Sequence, residues 1–127
     1  MGIFSYNSKH KIIIGIFVIG YSAYHFSGKR LSNSYYETGK PSQSGNFKEG
    51  KNHGLWIWYY PNGKKKMEGS FDMGEREGKW ITYNEKGIKI SESYYKDDQL
   101  NGNVTKWDDY GNFLSSTFYI NDKPLAK

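Results

Sequence analysis

The sequence predicts an all-β protein, an antiparallel β-meander of about three to four 24-residue hairpin repeats preceded by a short hydrophobic N-terminal helix. Three observations predict it. Aromatic residues make up 18 % of the chain, with twelve Tyr, seven Phe and four Trp, a bias that suits strands rather than helices. Residues recur in phase every 24 positions: Gly39, Gly63, Gly87 and Gly111; Gly54, Gly78 and Gly102; Phe47, Phe71, Tyr95 and Tyr119; Tyr35, Tyr59, Tyr83 and Trp107. A sustained period of that length marks a repeat architecture. Turn chemistry falls at the same step, with Pro61-Asn62-Gly63 as its clearest instance.

Composition changes sharply along the chain. Residues 1–34 hold Lys9, Lys11, Lys29 and Arg30 and no acid, whereas residues 35–127 are nearly neutral. The division is therefore a signal or anchor segment with its connector at 1–34 and a repeat domain at 35–127. Lys9-His10-Lys11 leads into an apolar run from Ile12 to Phe26. A basic stretch before an apolar one is the secretory pattern, yet the run is short of the ~20 residues that span a bilayer. It reads as an uncleaved anchor, with a cleaved signal and a buried soluble segment as alternatives. Small residues are poorly placed for cleavage around Ala23, while Tyr21, Tyr24, Lys29 and Arg30 suit an interfacial belt. The expected location is membrane-anchored or secreted, at the cell envelope. Leu31 to Ser34 reads as a polar connector.

Gly54 to Phe71 is the most regular unit. A two-residue turn at Asn62-Gly63 places Tyr60 opposite Lys65, Trp58 opposite Met67 and Trp56 opposite Gly69. Trp56, Trp58, Tyr60, Met67, Gly69 and Phe71 then share one face, and this face is expected to be the better buried. Trp56 would cover the opposed Gly69. Ile57, Tyr59, Lys66, Glu68 and Ser70 form the more polar face. In later units Thr82 and Ser91 fall on the first face, and the split blurs. Residues 48–54, 72–78 and 96–102 read as solvated return loops between strands of about five to seven residues. The end of the chain, with Asp122-Lys123-Pro124, reads as a polar edge that resists further pairing.

These residues resemble the MORN repeat. Its aromatic-x-x-Gly-Lys-x-x-Gly-x-Trp-x-x-Tyr-x-x-x-Gly pattern appears from Phe47 through Gly50, Lys51, Gly54, Trp56 and Tyr59 to Gly63. It recurs from Phe71 through Gly74, Gly78, Trp80 and Tyr83 to Gly87. A third copy departs, with Asp98 for Gly, Val104 for Trp and Trp107 for Tyr. The longer step is most similar to bacterial MORN-variant proteins described as antitoxin-like. The resemblance implies a binding or scaffolding ribbon without catalysis, often near membranes.

The chain offers little for catalysis. It has no Cys, so thiolate metal sites and Cys nucleophiles are excluded. His53 is the one histidine after residue 34 and has no acid at a useful spacing, so it reads as a surface-loop side chain. Asp97-Asp98 and Asp108-Asp109 lack the ligand alternation of a calcium loop. No catalytic, metal or cofactor residue is assigned, and no cofactor is expected. Near-neutrality of the repeats weighs against nucleic acid as a partner.

Two functions follow. One is a non-enzymatic protein-binding module, an immunity-type factor against a toxin being one form, held at the membrane through residues 12–26. Trp58, Tyr59, Tyr60, Tyr83 and Trp107 are its candidate contact residues, because Tyr and Trp on a stiff sheet offer area at low entropic cost. The alternative is a membrane-surface scaffold that meets anionic lipid headgroups or phosphate through Lys64, Lys65 and Lys66.

Overall fold

The computed structural model describes residues 30–31 and 33–126, which form one antiparallel sheet. In chain order its strands are β1 (Arg30–Leu31), β2 (Ser34–Tyr35), β3 (Pro41–Lys48), β4 (Lys51–Tyr59), β5 (Lys65–Asp72) and β6 (Glu75–Tyr83). They continue as β7 (Lys89–Lys96), β8 (Gln99–Leu100), β9 (Gly102–Trp107), β10 (Phe113–Ile120) and β11 (Lys123–Pro124). The strand order is β1-β3-β4-β5-β6-β7-β9-β10-β11, with β2 on β3 and β8 on β7. Each unit therefore pairs with the next in sequence, as the 24-residue period predicts. The N-terminal helix and the apolar run at 12–26 lie outside the described residues. Among the described residues, pairing begins with Arg30, read as part of the interfacial belt, opposite Phe47, and with Leu31, at the start of the stretch read as a connector, opposite Asn46.

The sheet's two rims are built differently. On one, Tyr60 N–H donates to the Lys64 carbonyl (2.8 Å) and Gly63 N–H to the Tyr60 carbonyl (2.9 Å). That leaves Pro61, Asn62 and Gly63 in a three-residue loop, and the two-residue turn expected at Asn62-Gly63 is corrected. Only Gly63 takes a positive φ, 87°, so the loop is a type I turn closed by a left-handed residue. The ladder then reads Tyr59↔Lys65 and Trp58↔Met67, skipping Lys66 as a bulge. The bulge absorbs the extra loop residue, so from Trp58 inward the register is the expected one.

The other rim overturns the return loops expected at 48–54, 72–78 and 96–102. The strands run straight through them to two-residue turns at Glu49-Gly50, Met73-Gly74, Asp97-Asp98 and Asn121-Asp122. Both residues of each turn have positive φ. This is the geometry that matches strand twist. Glu and Met seldom adopt it, which hid the turns. The strands gain length accordingly: β3, β5, β7 and β10 have eight residues, and β4 and β6 have nine.

Three of these turns are tied to the neighbouring hairpin. Gly74 N–H donates to the Asn52 carbonyl, Asp98 N–H to Arg76 and Asp122 N–H to Leu100. His53 lies on β4 and not on a loop. Its Nδ1 accepts the Met73 N–H at 3.1 Å, and one repeat later the Glu77 carboxylate accepts the Asp97 N–H at 3.2 Å. His53 is thus a structural acceptor at a turn.

Candidate functional site

The two faces of the sheet carry different chemistry. One is a ladder of rings packed edge to face: Phe47–Trp56 (5.4 Å between centroids), Trp56–Phe71 (6.2 Å), Phe71–Trp80 (5.0 Å) and Trp80–Tyr95 (6.0 Å). This arrangement sets ring edges against ring faces, worth about 0.5–1.5 kcal/mol per pair beyond burial. Trp56 and Trp80, 3 % and 7 % exposed, are the buried apolar residues among those described. The face expected to be buried is the buried one in the unit from Gly54 to Phe71.

The tryptophans are seated by glycines, though not by the one expected. Trp56 pairs with Gly69 in the ladder, but its ring lies over Gly45 on the other side. Trp80 is the residue that covers Gly69. A Cβ built on either glycine would stand 2.1 Å from the ring's Cδ2. The register shows how the ring gets there. β3 and β4 pair at Ser44↔Ile57 and next at Asn46↔His53, so Gly54, Leu55 and Trp56 face Gly45 alone. Likewise β5 and β6 pair at Glu68↔Ile81 and Ser70↔Glu77. The indole N–H groups then donate to the carbonyls of Asn46 (3.1 Å) and Ser70 (3.2 Å). One repeat on, Ser93 and Val104 replace both glycine and tryptophan. The lock is absent as a pair.

That substitution opens the candidate site. Trp58 stacks on Trp56 (6.0 Å, 29°) and lies 5.8 Å from Trp80. Thr82 and Ser91 occupy the columns of Trp58 and Met67 one repeat later. With Thr82, Ser91 and Ser93 in place of larger groups or a ring-covered glycine, a concavity of about 390 Å³ forms. It is lined by the apolar Trp58, Met67, Phe71, Trp80 and Tyr95, by the three hydroxyl residues and by Arg76. The Thr82 and Ser91 hydroxyls are hydrogen-bonded to each other. Arg76 stacks over Tyr95 (4.2 Å) and pairs with Asp98 (2.6 Å). The guanidinium holds the Asp98 carboxyl below the usual carboxylate range.

The opposite face is polar. Lys65 pairs with Glu68 and Lys89 with Glu92, both at 2.8 Å. Hydrogen bonding to these lysines holds both carboxyls below their ordinary range, and Tyr83 and Tyr94 hydroxyls also donate to them. Burial, then the Glu68 carboxylate, pushes the Tyr83 phenol up to about 12. Its folded value lies above the unfolded one, so the stabilisation is full below about pH 10 and is lost as pH rises through about 12. Absorbance titration should show a late-ionising phenol that Tyr83→Phe removes. An unchanged high-pH limb in that variant would refute the assignment.

The structure splits the five candidate contact residues. Trp58 lines the concavity. Tyr83 and Trp107 belong to the polar face, with Lys89 over the Trp107 ring at 4.6 Å. Tyr59 occupies the same repeat column as these two, and its carbonyl accepts the Tyr36 hydroxyl. Tyr60 stands at the loop rim, its hydroxyl donating to the Tyr83 carbonyl (2.8 Å). The three lysines also diverge: Lys64 Nζ donates to the Lys86 carbonyl (3.0 Å), Lys65 pairs with Glu68, and Lys66 lies 5.8 Å from the Tyr60 ring. Sequence reasoning missed Thr82, Ser91, Ser93 and Arg76. The signal was the joint loss of glycine at 93 and tryptophan at 104, eleven positions apart as are Gly69 and Trp80. No group of three or more potential metal ligands occurs among the described residues.

This architecture defines a single-layer β-hairpin repeat protein. Three segments of the chain, residues 31–49, 52–73 and 76–97, match the MORN repeat variant, and they coincide with the hairpin units just described. MORN repeats are generally modules that bind proteins or membranes. No curated protein matches the chain.

Proposed function

We propose that the chain is a non-enzymatic module that binds a protein partner through its aromatic face, centred on the concavity beside Trp58. The carrying observation is that this concavity joins the half-buried rings of Trp58, Phe71 and Tyr95 and the buried Trp80 to small hydroxyl residues on one sheet. Such a surface presents area without much loss of side-chain freedom, the character of an interface hot spot. Location at the cell envelope is part of the reading. It rests on the basic-then-apolar run at 9–26, since among the described residues no helix is long and apolar enough to cross a membrane. An immunity or antitoxin-like role is its most specific form and rests on the resemblance alone. The internal commitments of Lys64 and Lys65 favour this reading over headgroup binding.

Thr82→Trp tests it. The side chain copies Trp58 one repeat later and fills the concavity from within. Partner retention on the immobilised full chain should fall at least about 100-fold in affinity, the scale of losing a central contact. Circular dichroism should stay unchanged. Retention at wild-type affinity would remove the site.

A further inference from the structure

The far end of the sheet breaks the pattern of the repeats. Terminal units of a solenoid need a polar outer edge. Here the last long strand, β10, carries Phe113 (64 % exposed), Leu114 (62 %), Phe118 (43 %) and Ile120 (45 %). Three of these positions are charged in earlier units: Phe113 occupies the column of Lys65 and Lys89, Leu114 that of Lys66 and Ile90, and Ile120 that of Lys48, Asp72 and Lys96. Ser116 follows Glu68 and Glu92. The change removes the Lys–Glu pairs that cover the polar face of the middle strands. β10 is the one strand of six or more residues, among those described, without a charged side chain.

Among the described residues, its outer side is also mostly uncovered. β11 meets only Tyr119 and Ile120, and Leu125 N–H reaches the Phe118 carbonyl (2.9 Å). Pro124 therefore shields only the end of β10, and the polar edge expected from Asp122-Lys123-Pro124 is corrected. The Phe118 bond shows which backbone groups point outward, and strand alternation turns Ser116 the same way. An exposed, uncharged apolar edge is a template for strand pairing.

We propose that β10 pairs with β10 of a second copy of this chain, antiparallel about a two-fold axis, to make one continuous sheet. Charge selects this occupant. Across a two-fold axis a strand meets its own side chains, so a strand bearing lysines would bring like charges together, whereas β10 brings none. Edge geometry excludes the head-to-tail alternative, because Arg30–Leu31 and Ser34–Tyr35 already pair with the outer side of β3. Area sets the strength. One strand pair buries less than the ~800 Å² per partner of a standard interface, so the dissociation constant belongs at about 10–100 µM. The inference is independent of the partner-binding reading, since the concavity lies over β4 to β7.

Sedimentation of the full chain in detergent micelles, from about 1 to 200 µM, tests it across that range. A monomer–dimer equilibrium is expected. Phe113→Lys with Leu114→Lys copies the Lys65-Lys66 pair that the fold already accommodates. It should weaken dimerisation at least about tenfold, as inward-edge lysines do on natural sheets. Ser116→Pro should do the same by removing one outward N–H, and Tyr110→Lys, at an exposed loop outside β10, should not. A wild-type monomer throughout, a double-lysine variant that dimerises as well as wild type, or an equal loss with Tyr110→Lys would each overturn the proposal.

Discussion

Replacing Gly69 by serine is expected to cost about 3–5 kcal/mol, read as a fall in the urea midpoint, because it evicts a buried tryptophan. The new Cβ would lie 2.1 Å from Cδ2 of Trp80. Moving that ring aside breaks its packing on Phe71, Trp58 and Tyr95, whose centroids lie at 5.0, 5.8 and 6.0 Å. Eviction also breaks its hydrogen bond to the Ser70 carbonyl. Gly69 is not among the glycines with positive φ, so serine meets no backbone strain and the whole cost is steric. The cost should therefore vanish with the ring. In a Trp80→Val background, Gly69→Ser should cost under about 1 kcal/mol, giving a coupling of at least about 2 kcal/mol. The third repeat already carries that combination as Ser93 and Val104. An equal penalty in both backgrounds would show that the glycine serves the backbone and not the ring.

The repeat was legible because its glycines, aromatics and turn residues each recur at one step. The antiparallel order follows from that period. The seat of each tryptophan was not legible in the same way. Ladder partners can be counted from a turn, and Trp56 opposite Gly69 came out correctly. A side chain at a bulge leans away from its ladder partner, however, so Trp56 sits over Gly45. The turns at the opposite rim are hidden for another reason. Glu49 and Met73 occupy left-handed positions that turn rules assign to Asn or Gly, so the two-residue turns looked like part of a longer loop. The concavity could be reached only by setting absent residues in register, since Thr82, Ser91 and Ser93 are unremarkable taken singly.

These relations make the third unit repairable. Val104→Trp alone should not stabilise the chain, because its ring would meet the Ser93 side chain as a Gly69 substituent meets Trp80. Ser93→Gly alone should cost about 0.5–1 kcal/mol through the freer unfolded backbone. Together they should raise stability by about 1–3 kcal/mol, the range for burying a large ring and adding an edge-to-face contact. The new indole would continue the ladder past Tyr95 toward Tyr119, and its N–H would be offered to the Tyr94 carbonyl, the counterpart of Asn46 and Ser70. Thermal unfolding of the wild type, both single variants and the double variant closes the cycle. A double variant no more stable than wild type would mean that the third unit differs in backbone as well as in side chains. Gly102 gives that outcome a specific cause to test, because its φ of 133° departs from the 77° and 72° of Gly54 and Gly78. The strand also breaks at Asn101, between β8 and β9. A stabilised double variant would instead show that the ladder ends at Tyr95 only because Ser93 and Val104 end it.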